Sequence, residues 1–397
     1  MKYCRITAKL LGPLIIQKGR QSNAPETLSY LPGSTLSGAV AAKYLRYGGT
    51  PDSEAFRALF LENPVSFPNL LPVCDPAGPS RVLPLTAMTC KRFPGFLCEN
   101  GHGVKDHLVI SSIGRMLKRP PEEDFSLCAF NDQEESCASY AEQLSGYWNG
   151  DLDRPQTHTV DILYRRHTGI DRTTGTVAPT VFYTTQAIAD FRRDGWGYDG
   201  ATKTPDISQQ YLSGDLYLDD GQYSLLRSLL EGAPIFCGAD RGRGYGELEV
   251  TISEVKEPSF DLSQWDQGFH ARYTRIAGTE PEKGIYFSLK LESHAVFVDN
   301  FLRPTFEVSF PCPGVEQVVK IAQGRVLRGW QALWRLPKPD DVALSMGSVF
   351  LFRYTGDDRE GLEHSLQQII REGIGLRREE GCGRVSVCDP FHLTEVI

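Results

Sequence analysis

Apolar and polar residues alternate over residues 2–16, with Tyr3, Ile6, Ala8 and Leu10 in phase, which predicts a strand running into Leu14-Ile15-Ile16. The period then becomes helical: over residues 31–46, Leu36, Val40, Tyr44 and Leu45 share one face. Ser34 or Thr35 is placed to cap that helix, Lys43 and Arg46 suit its C-terminal dipole, and Gly38 and Ala41 would let it lie close to a sheet. From about 62 to 150 the period fades among Pro64, Pro68, Pro72, Pro76, Pro79, Pro84 and Pro94, as in a long insertion held by loops. Alternation returns at 159–164 and 181–185, predicting a hairpin within 157–190 around an arginine-rich turn. A strand at 215–218, a short helix at 222–230 with Tyr223, Leu226 and Leu230 inward, a loop at 238–246 and a strand at 247–255 follow.

The second half ends the same way. Strands are expected at 285–291 and 347–354, then a helix at 362–371 with Leu366, Ile369 and Ile370 inward, a glycine-rich loop at 373–383 and a last strand at 384–387. Helix, glycine-rich loop with arginines, then strand, occurring twice, marks an internal duplication. Interleaved helices and hairpins predict an α+β fold with antiparallel sheets. The expected domains are 1–255, carrying the insertion and the hairpin, a linker at 256–284, and a second domain at 285–397.

Charge changes this picture only locally. The net charge of −8 argues against indiscriminate nucleic-acid binding, yet acidic residues crowd 121–142 while arginines cluster at 165–172, 241–243 and 371–384. No apolar run approaches a bilayer span, and Met1–Thr7 reads as the start of a strand, so a cytoplasmic protein without membrane contact is expected. The ten cysteines lack the spacing of a secreted disulfide scaffold, which leaves buried thiols and a few metal-ligand candidates.

The candidate chemistry lies first in the two loops, Gly238-Ala239-Asp240-Arg241-Gly242-Arg243-Gly244-Tyr245-Gly246 and Gly373-Ile374-Gly375-Leu376-Arg377-Arg378-Glu379-Glu380-Gly381-Cys382-Gly383-Arg384. Glycine admits positive φ and close backbone approach, so amides can converge on a phosphate, and arginine adds a forked donor. Each loop follows a helix and precedes a strand, the reverse of a dinucleotide-binding turn, and neither carries Gly-Lys-Ser/Thr. The plain alternative is a structural turn gripping its neighbouring helix.

The loops, with Leu31-Pro32-Gly33-Ser34-Thr35-Leu36-Ser37-Gly38-Ala39 and the hairpin Arg165-Arg166-His167-Thr168-Gly169-Ile170-Asp171-Arg172, resemble the repeat-associated mysterious protein (RAMP) superfamily of CRISPR ribonucleoproteins. Cys90-Lys91-Arg92-Phe93-Pro94-Gly95-Phe96 followed by Gly101-His102-Gly103-Val104 is similar to the large RAMP subunit of type III-D effector complexes. The resemblance implies two ferredoxin-like (RRM-like) domains and a non-catalytic subunit in antiviral defence that binds the 5′ handle of guide RNA. It also implies the large polymerase-like subunit and the backbone RAMP subunits as partners. On the matching positions, it implies RNA contacts from Gly33, Ser34, Lys43, Arg46, Arg165, Arg166, His167 and Arg172, and from both loops: Arg241, Gly242, Arg243, Gly244, Gly375, Arg377, Arg378, Gly381, Gly383 and Arg384. Tyr164, Tyr183 or Tyr245 could stack a base.

Two further constellations carry alternatives. His167 with Asp171 allows a metal-independent endoribonuclease processing precursor guide RNA, His167 acting as general base, beside the plainer reading of a histidine that orders the hairpin. Cys90, Cys98, Cys128 and Cys137 in the insertion, with His102 and His107 nearby, allow a structural zinc, beside free thiols; no cofactor is otherwise required. Trp330 and Trp334, four apart among arginines, read as packing residues or a subunit contact.

Overall fold

Alternation over the first ten residues produces the central strand of a sheet. In the computed structural model, β1 (Lys2–Leu10) has β3 (Tyr211–Leu218) on one side and β4 (Glu247–Glu254) on the other. Both pairings are antiparallel, with Ile6 opposite Gly214 and Ile252. A short β2 (Leu71–Val73) lies outside β3 and a two-residue strand, Ile235–Phe236, outside β4, so the five-stranded sheet contains the four-strand order β4-β1-β3-β2. Helix α1 (Gly33–Arg46) connects β1 to β2, and α2 (Asp220–Leu230) connects β3 to β4. This βαββαβ arrangement is ferredoxin-like. Ile6, Ala8 and Leu10 pack with Leu36, Val40, Leu216, Leu226 and Leu248 in one core, each large side chain contributing about 1.5–3 kcal/mol by burial.

The structure describes residues 1–18, 26–118, 126–128, 137, 139–199, 202–308, 310, 312–331 and 336–397, and these fall into two units. Met1–Ser80 with His158–Lys256 form the first, and Arg81–Thr157 with Glu257–Ile397 the second. The expected insertion at 62–150 is therefore divided: residues 81–150 pack with the second half of the chain.

In the second unit, α3 (Leu262–Ala277) occupies most of the stretch expected as a linker at 256–284. Asp261 caps it by accepting the Gln264 N–H at 2.8 Å, and Leu262, Trp265, Phe269, Tyr273 and Ala277 form its buried stripe. After it, β5 (Ile285–Leu291), β6 (Val315–Ile321), β7 (Val349–Tyr354), α4 (Arg359–Glu372) and β8 (Val385–Val387) make an antiparallel sheet of order β6-β7-β5-β8. That is the strand order of the first unit. The difference is between β5 and β6, where no helix occurs among the described residues. The helix Leu108–Leu117 packs on β6 and α3 instead, and its Leu108, Val109 and Ile113 enter the same core as Phe287, Leu289, Phe350 and Phe352.

Buried charges bind this borrowed segment in place. The Asp106 carboxylate accepts the Leu108 N–H at 2.9 Å and the Thr86 hydroxyl, and lies 3.0 Å from His392 Nδ1. Arg272 donates to the carbonyls of His392, Thr394 and Asp106. Lys290, fully buried, donates to Val82 O at 3.2 Å while paired with Asp389 at 2.8 Å and Glu292 at 2.9 Å. Among the described residues no helix is long and apolar enough to cross a membrane.

Candidate functional site

The two glycine loops share one backbone conformation. Gly238 and Gly375 have φ of 76° and 77°, and Gly246 and Gly383 have φ of 77° and 74°. Between them, Asp240 and Arg377 are left-handed at 55° and 59°, each opening a short 3-10 turn that closes on Gly244 or Gly381. The hydrogen bonds match too. Ala239 N–H donates to Ile15 O and Leu376 N–H to Val296 O; Cys237 N–H donates to Gly246 O and Ile374 N–H to Gly383 O. A Cβ on Gly246 would stand 1.9 Å from Cys237 O, and one on Gly383 1.8 Å from Ile374 O, so both positions demand glycine.

Those same bonds correct an expectation. Amides of Ala239, Arg243, Gly244 and Gly246 already donate to protein carbonyls, as do those of Leu376, Glu380, Gly381 and Gly383. Most amides of the second loop and four of the nine in Gly238–Gly246 are thus structural, so each loop offers its side chains outward and the first keeps some of its amides as well.

The side chains differ. In the first loop Arg241, Gly242, Arg243 and Gly244 are all exposed. Arg241 forms no ion pair among the described residues, and Arg243 stands 3.7 Å from Asp240 while donating to Tyr183 Oη at 3.2 Å. In the second loop Arg377 is clamped by Asp341 at 2.6 Å and Glu380 at 2.7 Å, and Lys338 joins Glu380 at 2.8 Å. Burial alone would lower the Arg377 pKa, but these carboxylates hold it above its ordinary value, and its charge is unavailable to an outside anion. Arg378 faces Glu372 at 3.6 Å, and Arg384 donates its backbone N–H to Ser293 Oγ. Of the second-loop candidates, Gly375, Gly381 and Gly383 therefore shape the turn, and Arg377 anchors it.

Around the first loop the neighbours are cationic and aromatic. The hairpin pairs Ile162–Ile170 with Val177–Ile188, so Arg165, Arg166 and His167 sit on a strand and only Arg172 lies in the turn. His167 faces Tyr183 across the strands and stacks on it at 4.7 Å and 15°. Arg165 lies over the Tyr245 ring at 5.2 Å. Tyr245 is buried and cannot stack a base, whereas Tyr164 is 62% exposed. On the other side of Arg241, a cavity of about 210 Å³ is lined by Lys43, Arg46, Tyr47 and Phe236, with the Arg46 guanidinium 5.8 Å from the Phe236 ring centre.

At the start of α1, Pro32 is the N-cap and Ser34 and Thr35 lie inside the helix, contrary to the expected caps. The Gly33 N–H instead donates to Asn69 Oδ1 at 3.0 Å, which takes it away from an outside phosphate. Gly38 faces open space and Ala39 packs inward in its stead. Lys43 is a further correction: it is buried, its Nζ donating to Leu230 O at 3.3 Å and Ala233 O at 2.5 Å, and it ties the end of α2 rather than facing solvent.

Asp171 accepts the N–H groups of Thr173 at 2.7 Å and Thr174 at 3.3 Å, which hold its carboxyl below the usual range and build the hairpin turn. No hydrogen bond joins it to His167 among the described residues. Trp330 is 58% exposed rather than packed, and Trp334 lies outside the described residues, as do the acidic residues Glu122, Glu123, Asp124, Asp132, Glu134 and Glu135.

A second cluster forms in the segment 81–157. Donor atoms of Cys90, His102, Cys128 and Cys137 all lie within 4.8 Å of one another. Cys98 does not join them: its thiol donates to Pro155 O at 2.8 Å, and His102 takes the fourth corner. Cys90 ends the strand Ala87–Cys90, while Cys128 is brought in by its N–H bond to Ser139 O. Burial would raise the Cys90 thiol, but the Phe93 and Arg92 amides with the thiols of Cys128 and Cys137 outweigh it and lower its pKa.

No known family's sequence profile matches the chain, and no curated protein does. Among solved structures, a chain of the type III-B Cmr-beta complex bound to cognate target RNA is similar at 12% identity and a TM-score of 0.41, covering 92% of this chain and 94% of that one. A chain of the same complex in its apo state has 12% identity and a TM-score of 0.31, covering 64% of this chain and 98% of that one. Oligomeric Cmr4 from Pyrococcus furiosus has 13% identity and a TM-score of 0.23, covering 65% of this chain and 100% of that one. TM-scores this low carry no functional conclusion.

Proposed function

We propose that the protein is a non-catalytic RNA-binding subunit of a type III CRISPR effector complex, of the type III-D large RAMP kind, holding the 5′ handle of the guide RNA. The observation that supports it most is the first glycine loop. It projects Arg241 and Arg243 in two directions, one beside the cavity with Arg46 and Phe236, the other toward Tyr183 and His167 of the hairpin. Guanidinium groups spaced along a track with aromatic rings beside them suit single-stranded RNA, phosphates on the arginines and bases against the rings. Arg46, Arg165, Arg166, Arg172 and Tyr164 extend this track within the first unit. The second loop, its arginines paired internally, is the better candidate for contact with a neighbouring protein subunit, the large polymerase-like subunit or a backbone RAMP subunit.

The endoribonuclease reading gains no support from the engagement of Asp171 in its own turn. Both readings meet one experiment: purified chain is incubated with handle-bearing guide RNA and with precursor RNA at several salt concentrations. Salt-sensitive retention without cleavage is expected. Metal-independent cutting of the precursor, lost in His167→Ala, would establish the enzyme instead.

A further inference from the structure

We propose that Cys90, His102, Cys128 and Cys137 bind one Zn²⁺ that clips Ser126–Cys128 and Cys137 onto the small sheet of Ala87–Cys90, Val104–Asp106 and Ala141–Gln143. The inference is independent of the RNA reading. Cys90 Sγ lies 3.9 Å from Cys137 Sγ, and Cys128 Sγ lies 3.4 Å from His102 Nδ1. A tetrahedral zinc with Zn–S near 2.3 Å and Zn–N near 2.05 Å sets those edges at about 3.8 Å and about 3.6 Å. The sulfur pair is far beyond the roughly 2.05 Å of a disulfide. Three thiols and one imidazole with all donor atoms within 4.8 Å are a donor set that favours zinc over hard oxygen-seeking cations.

The surroundings are built for the same purpose. The Phe93 N–H points at Cys90 Sγ at 3.4 Å, as an amide stabilising a thiolate does, and the His102 N–H returns to Phe93 O at 3.0 Å, closing the loop between two ligands. The His102 ring rests against Phe93, 4.4 Å between centres, which fixes the imidazole plane. Leu127 bridges to Tyr140, Ala141 N–H donates to Ser126 O and Cys128 N–H to Ser139 O, so backbone bonds tie Ser126–Cys128 to Ser139–Ala141 beside the cluster. Leu127 and Tyr140 are both exposed, so little apolar burial holds Ser126–Cys128 and Ser139–Ala141, and a metal crosslink supplies what the core does not.

Elemental analysis of the purified full chain is expected to find one zinc per chain, and cobalt exchanged into it is expected to show the visible bands of a tetrahedral thiolate site. Cys128→Ser and His102→Ala should lose the metal, whereas Cys98→Ser should keep it. Because a ligand variant can misfold, the wild-type chain is also treated with a strong chelator. A fall in melting temperature reversed by stoichiometric zinc supports the site. A metal-free chain with all four groups free, a mass lower by two hydrogens from a Cys90–Cys137 disulfide, or metal lost on Cys98→Ser would overturn it.

Discussion

Gly238–Gly246 and Gly375–Gly383 follow the same path, residue for residue, through positive φ at both ends and a 3-10 turn between, yet Arg241-Gly242-Arg243 in one is Arg378-Glu379-Glu380 in the other. Backbone amides in both are partly taken up by the protein itself, four of the nine in Gly238–Gly246 and most of those in Gly373–Arg384, so the side chains separate the two loops more clearly than the backbone does. What decides whether such a turn can hold an anion is where its cations find partners. In the first unit they find aromatic rings, solvent and one exposed carboxylate, Asp240; in the second, Asp341 and Glu380 clamp Arg377, while exposed Arg378 faces Glu372. One backbone scaffold thus presents two different charged surfaces.

That comparison can be broken in four ways. The largest effect is expected at the shared glycines: Gly246→Ala and Gly383→Ala should each destabilise their own unit by about 2 kcal/mol or more, read by chemical denaturation, because a Cβ meets a carbonyl oxygen and φ is positive. Unequal tolerance would mean the backbones are not equivalent. Next, Arg377→Ala should cost roughly 1–3 kcal/mol of stability by stranding Asp341 and Glu380, while Arg243→Ala should leave the melting curve nearly unchanged.

Acid should separate the loops by a smaller margin. Burial would raise the Glu380 pKa, but Arg377 and Lys338 more than offset it and hold it below its ordinary value of 4.5. A depressed carboxylate contributes stability above its unfolded pKa and loses it as pH falls through the folded value. The protection factors of second-loop amides, corrected for intrinsic exchange, should therefore fall below about pH 4.5, and Glu380→Gln should abolish that dependence. The smallest effect is reserved for Gly242→Ala, within about 0.5 kcal/mol, since nothing lies within 4 Å of its added Cβ.

Much of this was written in the sequence. Alternation placed β1, β3 and β7, the helix-loop-strand repeat disclosed two related units, and glycine spacing marked both turns. The charges were harder. Nothing around Lys43 says that it will turn inward, because its carbonyl partners come from Leu230 and Ala233, far along the chain. Arg377 likewise reads as a ligand donor until Asp341 is folded beside it. Cys98 and His102 were both in view, but only the turn closed by Phe93 decides which reaches the cluster. Helix α3 is legible in Trp265, Phe269, Tyr273 and Ala277, which recur at helical spacing, yet Asp266, Arg272 and Arg275 between them interrupt the apolar run. The helix at Leu108–Leu117 was hidden by proline-rich flanks.

The most direct test is the binding of handle-bearing single-stranded RNA by two charge-reversed proteins, one carrying Arg241→Glu with Arg243→Glu, the other Arg378→Glu, each titrated across salt concentrations. The first should lose roughly ten-fold or more in affinity and about 1.4 from the salt slope, two phosphate contacts' worth, while the second keeps both. Equal losses from the two proteins, or none from the first, would contradict the assignment of RNA to the first loop.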